Sequence, residues 1–192
     1  MYLNRNNELE VMSLFRGNYN ARYYLRQISK LSKLPLKTCQ NTLLILEKQK
    51  ILKSKLEGKN KYFSLNFENI KTKLSLLQSE IYQTNAFLEK YTSFKMFLKD
   101  IKTTEPVIVF GSFAKFLADK NSDVDLLIIF NKKLNLPVHL LSFKPHEINM
   151  SEKTFLKSIK EQEDLIKEIE ENHIILNNHS FYVDTMWSHY EQ

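Results

Sequence analysis

Cysteine, glycine and proline are all scarce in this chain of 192 residues, at one, three and four. A single cysteine, Cys39, excludes an intrachain disulfide and a cysteine-rich zinc site. No apolar run approaches the ~20 residues that a membrane-spanning helix needs, which excludes helical spans and leaves no membrane partner to expect. The opening MYLNRNNELEVM is polar and lacks the apolar stretch of a secretory signal, so the expected compartment is the cytoplasm. With so few glycines, Gly17, Gly58 and Gly111 are each expected where the backbone needs unusual freedom.

What is present is an ordinary globular composition, 43% hydrophobic and 26% charged, long enough for one large or two small domains. The net charge of +6 is unevenly spread. Residues 1–75 carry 15 Lys/Arg against 5 Asp/Glu, whereas residues 76–192 carry 13 against 17. A basic half of this kind suits a polyanionic partner; uneven solubilising charge is the alternative.

Leu9, Met12 and Phe15 recur at three-residue steps and predict a helix from Glu8 to Arg16, stopped by Gly17-Asn18. A second helix is predicted from Arg22 to Leu31. After Ser32-Lys33-Leu34-Pro35, a third runs from Leu36 to Gln49, burying Cys39, Leu43, Leu46 and Leu44 and showing Lys37, Thr38, Gln40 and Asn41 outward. Two alternating runs, Ile51–Leu56 and Lys61–Leu65, flank Glu57-Gly58-Lys59-Asn60 and predict a hairpin.

This order, carried by LRQISKLSKLPLKTCQNTLLILEKQKILKSKLEGKNKYFSLN, resembles the winged helix-turn-helix family of DNA-binding domains over residues 7–67. The resemblance implies double-stranded DNA as partner. Lys37, Thr38, Gln40 and Asn41 of the third helix would lie in the major groove, and Lys53, Lys55, Lys59 and Lys61 of the wing would meet phosphates. Winged helices also serve as protein-interaction modules, which is the competing reading.

From Phe67 to Ile101 there is neither glycine nor proline, and Ile70, Leu74, Leu77, Ile81, Thr84, Leu88, Tyr91, Phe94, Leu98 and Ile101 follow in steps of four and three. One long helix or two helices with a heptad-like seam are expected. The seam either packs on the flanking domains or pairs with a second copy in a homodimer.

Pro106 opens the apolar run Val107–Phe110, which predicts a buried strand, and Gly111-Ser112-Phe113-Ala114-Lys115-Phe116 begins a short helix. Ten residues separate Ser112 from Asp123-Val124-Asp125, which leads into the apolar Leu126–Phe130. GSFAKFLADKNSDVDLLII resembles the nucleotidyltransferase superfamily related to DNA polymerase beta, and most of all its minimal nucleotidyltransferases. The chemistry suits the spacing. Gly111 and Ser112 let backbone N–H groups approach a triphosphate, with Lys115 close behind as a nucleotide-binding cation. Asp123 and Asp125, two apart on one strand, point to one face and can hold Mg²⁺ or Mn²⁺. The fold implied is a small mixed sheet with helices on one side.

Two departures from the family stand out. Phe116 occupies a position where family members usually carry glycine, so the turn is expected to differ. The family also uses a third acid on a neighbouring strand, and Glu147, in His146-Glu147-Ile148-Asn149-Met150, is the candidate. Without it the domain would be a degenerate sensor of nucleotide. The tail predicts one helix over Ser151–Asn172 capped by Ser151, then a short strand His173–Leu176 and a turn at Asn177-Asn178. The five histidines, at 139, 146, 173, 179 and 189, show no metal-ligand spacing.

The expected fold class is therefore α+β: a winged helix over 1–67, a helical connector over 68–103 and a small mixed α/β nucleotidyltransferase domain over 104–192. The resemblance implies transfer of a nucleoside monophosphate, AMP, from ATP to an acceptor hydroxyl. The acceptor is a toxin protein, as in toxin–antitoxin pairs, or a small molecule, with autoregulation through the winged helix. The alternative is a non-enzymatic transcriptional regulator whose last domain senses nucleotide or mediates assembly.

Overall fold

Asn6 accepts hydrogen bonds from the amides of Glu8 (3.0 Å) and Leu9 (3.2 Å) and so begins α1 (Asn7–Met12), which a 3-10 turn over Ser13–Phe15 continues. The computed structural model describes residues 5–130 and 135–191; the first four residues of the polar opening, residues 131–134 and residue 192 lie outside the described residues. The chain divides into two compact units, residues 1–82 with 186–192 and residues 83–185.

In the first unit, α2 (Leu25–Ser32) and α3 (Leu36–Lys48) join α1 with a three-stranded antiparallel sheet in the order β1-β3-β2. β1 is only Tyr23–Tyr24, the stretch expected to open the second helix. Its two aromatic residues pair instead with Phe63 and Tyr62 of β3 (Asn60–Leu65). β2 (Leu52–Glu57) and β3 form the expected hairpin, and Gly58 at its tip has φ +59°, a conformation that costs glycine little. Gly17 has no positive φ, contrary to expectation.

Val11, Met12, Phe15, Ile28, Cys39, Leu43 and Leu46 are fully buried or nearly so and make the core of this unit, with Cys39 acting as a small apolar residue. Leu44, expected inside, is 55% exposed. One residue along a helix turns the side chain by about 100°, which takes position 44 off the stripe that Cys39, Leu43 and Leu46 share.

The connecting segment folds as two helices, α4 (Ile70–Lys90) and α5 (Phe94–Asp100). In the part of α4 that belongs to the first unit, the polarity is inverted. Thr72, Ser79 and Glu80 are fully buried with Leu76, whereas Ile70, Leu74 and Ile81 are 63%, 52% and 44% exposed. A hydrogen bond and an ion pair compensate the buried polar face: Thr72 Oγ1 donates to the Ile51 carbonyl (2.9 Å), and Glu80 lies 2.5 Å from the Arg16 guanidinium. This end of the heptad-like seam therefore faces outward.

The second unit is built on a four-stranded sheet in the order β6-β5-β4-β7. β4 (Val107–Phe110) runs antiparallel to β5 (Val124–Ile129) and to β7 (Ile174–Asn177), whereas β6 (Pro145–Met150) runs parallel to β5, so the sheet is mixed as expected. Val109, Leu126, Ile128 and Ile174 on one face join Phe87, Phe94, Phe97 and Phe113 in one apolar core. Ile108, Leu127 and Ile175 on the other face are equally buried, so the sheet is covered on both faces rather than one. The tail divides at Gln162 (φ +51°) into α7 (Glu152–Glu161), capped by Ser151 as expected, and α8 (Asp164–Glu171). α9 (His179–Tyr190) follows β7.

The Arg16–Glu80 pair offers a stability test, since its side chains are only 11% and 0% exposed. Replacing Arg16 by leucine removes this partner from a buried carboxylate, and the expected loss is about 3 kcal/mol. It should appear as a lower urea midpoint at unchanged slope. A variant as stable as the wild type would show that the pair contributes nothing net.

Candidate active site

The apolar run Val107–Phe110 is buried along its whole length and sets the site by its register: Phe110 pairs with Asp125 across the sheet. The next residue, Gly111, has φ +67°, and a Cβ there would stand 2.3 Å from Asp125 Oδ2. Only glycine lets the backbone pass so close to that carboxylate.

The helix that Gly111 opens, α6 (Gly111–Ala114), is a single turn. The Leu117 amide donates to the Ser112 carbonyl and the Phe116 amide to the Phe113 carbonyl, both at 3.0 Å. These are the two bonds of a Schellman closure, whose left-handed residue is here Phe116, at φ +58°. The turn is thus closed without a glycine. The Phe116 ring lies 6.3 Å from that of Tyr91 and 6.2 Å from that of Phe87, and the Lys90 ammonium donates to the Phe116 carbonyl.

A tight loop then returns the chain to the sheet. Asp119 accepts from the Asn121 amide (2.9 Å) and the Ser122 hydroxyl (3.1 Å), bonds that hold its carboxyl below the ordinary aspartate range. Asp123 immediately precedes β5 and Asp125 lies within it; alternation along the strand gives them the same face. Their side chains are 52% and 29% exposed, open enough for a ligand. Lys144 Nζ stands 4.0 Å from Asp123 Oδ2.

The parallel register of β5 and β6 decides what joins these aspartates. Asp125 is paired with His146, and His146 Nδ1 lies 3.0 Å from Asp125 Oδ1. Glu147 is paired with Leu126, on the opposite face of the sheet, so the structure does not bring it to Asp123 and Asp125. His146, set aside in the sequence with the other histidines, takes that place. The signal was parity: of two consecutive residues on a strand, only one can face the aspartates. His173 and His179 have structural partners, the Ile169 carbonyl (2.8 Å) and Thr84 Oγ1 (3.0 Å). Lys115 is exposed and ion-paired with Glu168 at 3.1 Å, a surface contact of small energy.

Among the described residues no three His, Cys, Asp or Glu side chains are gathered as a ready-made metal cluster. Two carboxylates on one face nonetheless suit a hard divalent cation, which takes one or two protein carboxylates and completes its shell with substrate phosphates and water.

In the first unit, Lys37, Gln40 and Asn41 are exposed on α3 and Thr38 is half-buried. The hairpin lysines do not share one face. Lys53 and Lys55 lie on one side of β2, Lys59 is in the turn, and Lys61, paired in register with Leu56, lies on the other side. There Lys61 Nζ meets Glu47 Oε2 at 2.8 Å; together with the Ser54 hydroxyl it draws the Glu47 carboxyl below the usual range. Glu57 lies 2.5 Å from the Arg22 guanidinium and 3.6 Å from Lys55 Nζ.

Residues 92–179 match the family model of the nucleotidyltransferase domain, a range that includes Gly111, Ser112, Asp123, Asp125 and His146. No curated protein and no solved structure matches the chain. The domain match gives a transferase activity on an NTP in general terms, of a kind that commonly uses divalent metals. Among the described residues no helix is long and apolar enough to cross a membrane.

The contact between Gly111 and Asp125 gives a direct check. Gly111→Ala places a side chain both in the left-handed region and on the Asp125 carboxylate, so it should destabilise the protein by about 2 kcal/mol or more. Thermal and urea melts measure this. Wild-type stability in that variant would show that Asp125 moves aside freely.

Proposed function

We propose that the second unit transfers a nucleoside monophosphate from an NTP to an acceptor hydroxyl. The observation that carries this reading is the seating of Asp125 against Gly111 with Asp123 on the same face. The acceptor oxygen bonds to the α-phosphorus, the bond from that phosphorus to the bridging oxygen breaks, pyrophosphate leaves and the hydroxyl proton is released. Asp123 and Asp125 would hold Mg²⁺ or Mn²⁺, which when bound draws charge from the phosphate oxygens. Gly111 and Ser112 supply backbone N–H groups at the start of α6, and Lys115 can exchange Glu168 for a phosphate. Resemblance to the minimal nucleotidyltransferases supports ATP as donor, AMP as the transferred group, a toxin protein as acceptor and the cytoplasm as compartment.

The first unit reads best as a winged helix that binds double-stranded DNA and allows autoregulation. Three helices, a hairpin with Lys53, Lys55 and Lys59 exposed, and the outward Lys37, Gln40 and Asn41 support this reading. The outward Ile70, Leu74 and Ile81 of α4 favour a homodimer, because an aliphatic row at coiled-coil spacing can meet its own copy.

Purified protein incubated with labelled ATP and Mg²⁺ or Mn²⁺ alongside candidate acceptor proteins should yield labelled acceptor. Asp123→Asn and Asp125→Asn should each lower the rate by about 10²–10³-fold while the protein stays folded. Transfer at wild-type rate in either variant would remove these residues from the site. Absence of transfer to any acceptor, with nucleotide still bound, would favour the non-enzymatic regulator.

For the first unit, DNA affinity of the full chain should fall with salt at a log–log slope near −0.9 per neutralised phosphate. Lys53→Glu combined with Lys59→Glu should weaken binding on all sequences alike. Binding that ignores salt and these substitutions would make this unit a protein-interaction module.

A further inference from the structure

We infer that His146 is a positioning residue for Asp125, so that the site works with two carboxylates and an imidazole rather than with three carboxylates. The inference rests on the transferase reading above and names the group that stands in the third place.

Three observations converge on it. The register pairs His146 with Asp125, placing both side chains on the face that Asp123 shares. The 3.0 Å contact joins Nδ1 to a carboxylate oxygen, and an ionised carboxylate only accepts, so Nδ1 carries the hydrogen and donates it. That is the one hydrogen bond of the Asp125 carboxylate among the described residues. On its other side the same carboxylate is confined, since Oδ2 lies 2.3 Å from where a Cβ of residue 111 would be. Asp125 is thus held at Oδ1 by a donor and bounded at Oδ2 by Gly111.

The acid that could have competed for this role, Glu147, is in register with Leu126 and faces away. An imidazole adds no third negative charge to the site. It orients a carboxylate, as hydrogen-bonded partners of metal-binding carboxylates do. His146 is 63% exposed, so its ring bonds Asp125 without burying it.

The test reads metal binding rather than turnover, using Mn²⁺ as the probe with the full chain and a non-hydrolysable ATP analogue. Free Mn²⁺ is followed by electron paramagnetic resonance. His146→Ala should weaken Mn²⁺ by about 10-fold or more. His146→Asn, whose side-chain amide offers an N–H donor near the position of Nδ1, should recover most of that loss. Thermal melts of both variants confirm that they remain folded. Wild-type affinity in His146→Ala, or an asparagine variant as weak as the alanine one, overturns the positioning role while leaving the aspartate site intact. A wild-type protein that binds no Mn²⁺ with the nucleotide present overturns both this inference and the metal site on which it rests.

Discussion

A side chain at position 111 and the carboxylate of Asp125 cannot occupy the same space. The geometry of the candidate site depends on that exclusion. β4 and β5 are locked by apolar residues on both faces, and their antiparallel register fixes Asp125 beside the point where β4 ends. The chain must leave there in a left-handed conformation and close to a carboxylate, two demands that only glycine meets together. With Asp125 placed, strand alternation assigns its neighbours: Asp123 to the same face, and His146 rather than Glu147 across the parallel pairing with β6.

Elsewhere the chain meets left-handed conformations without glycine. Lys33, Lys50, Phe116, Gln162 and Asn178 all have positive φ, against only Gly58 and Gly111 among the glycines. A residue with a Cβ gives up roughly 1–2 kcal/mol in that region, so surrounding contacts must over-determine it. At Phe116 those contacts are visible: a two-bond helix closure, two aromatic neighbours and the ammonium of Lys90 over the ring at 5.7 Å. The backbone requirement is therefore more general than the residue that usually meets it. A missing glycine does not signal a missing turn when apolar packing holds the substitute.

This explains which parts of the molecule were legible in the sequence. Val107–Phe110 and the apolar residues after Asp125 announced two buried strands because continuous apolar runs have few other uses. The α3 stripe and the Gly58 hairpin were equally local signals. What escaped was non-local. Tyr23–Tyr24 are a strand only because Phe63 and Tyr62 lie opposite. The break at Gln162 needs a left-handed glutamine that no pattern marks. The choice between His146 and Glu147 depends on the register of β5 with β6, and two consecutive residues are indistinguishable until that register is known. In α4 the period was readable but its direction was not. The buried bonds of Thr72 and Glu80 turn the polar side inward and leave the aliphatic row outside.

The same distinction sorts the charges of the hairpin. Composition counts four lysines as one basic patch, yet the register divides them by task. Lys61 shares Glu47 with the Ser54 hydroxyl, tying β2 and β3 to α3, and its ammonium also stands 5.3 Å from the centre of the Phe63 ring. Its chemistry is that of a brace, and a phosphate would have to displace Glu47 to use it. Lys53 and Lys59 have no ion-pair partner among the described residues and remain exposed. Lys55 is intermediate, because Glu57 at 3.6 Å is already engaged by Arg22 at 2.5 Å. A polyanion approaching this unit would therefore meet a hairpin whose outer face and tip carry the available charge. The inner lysine keeps that hairpin in place against α3.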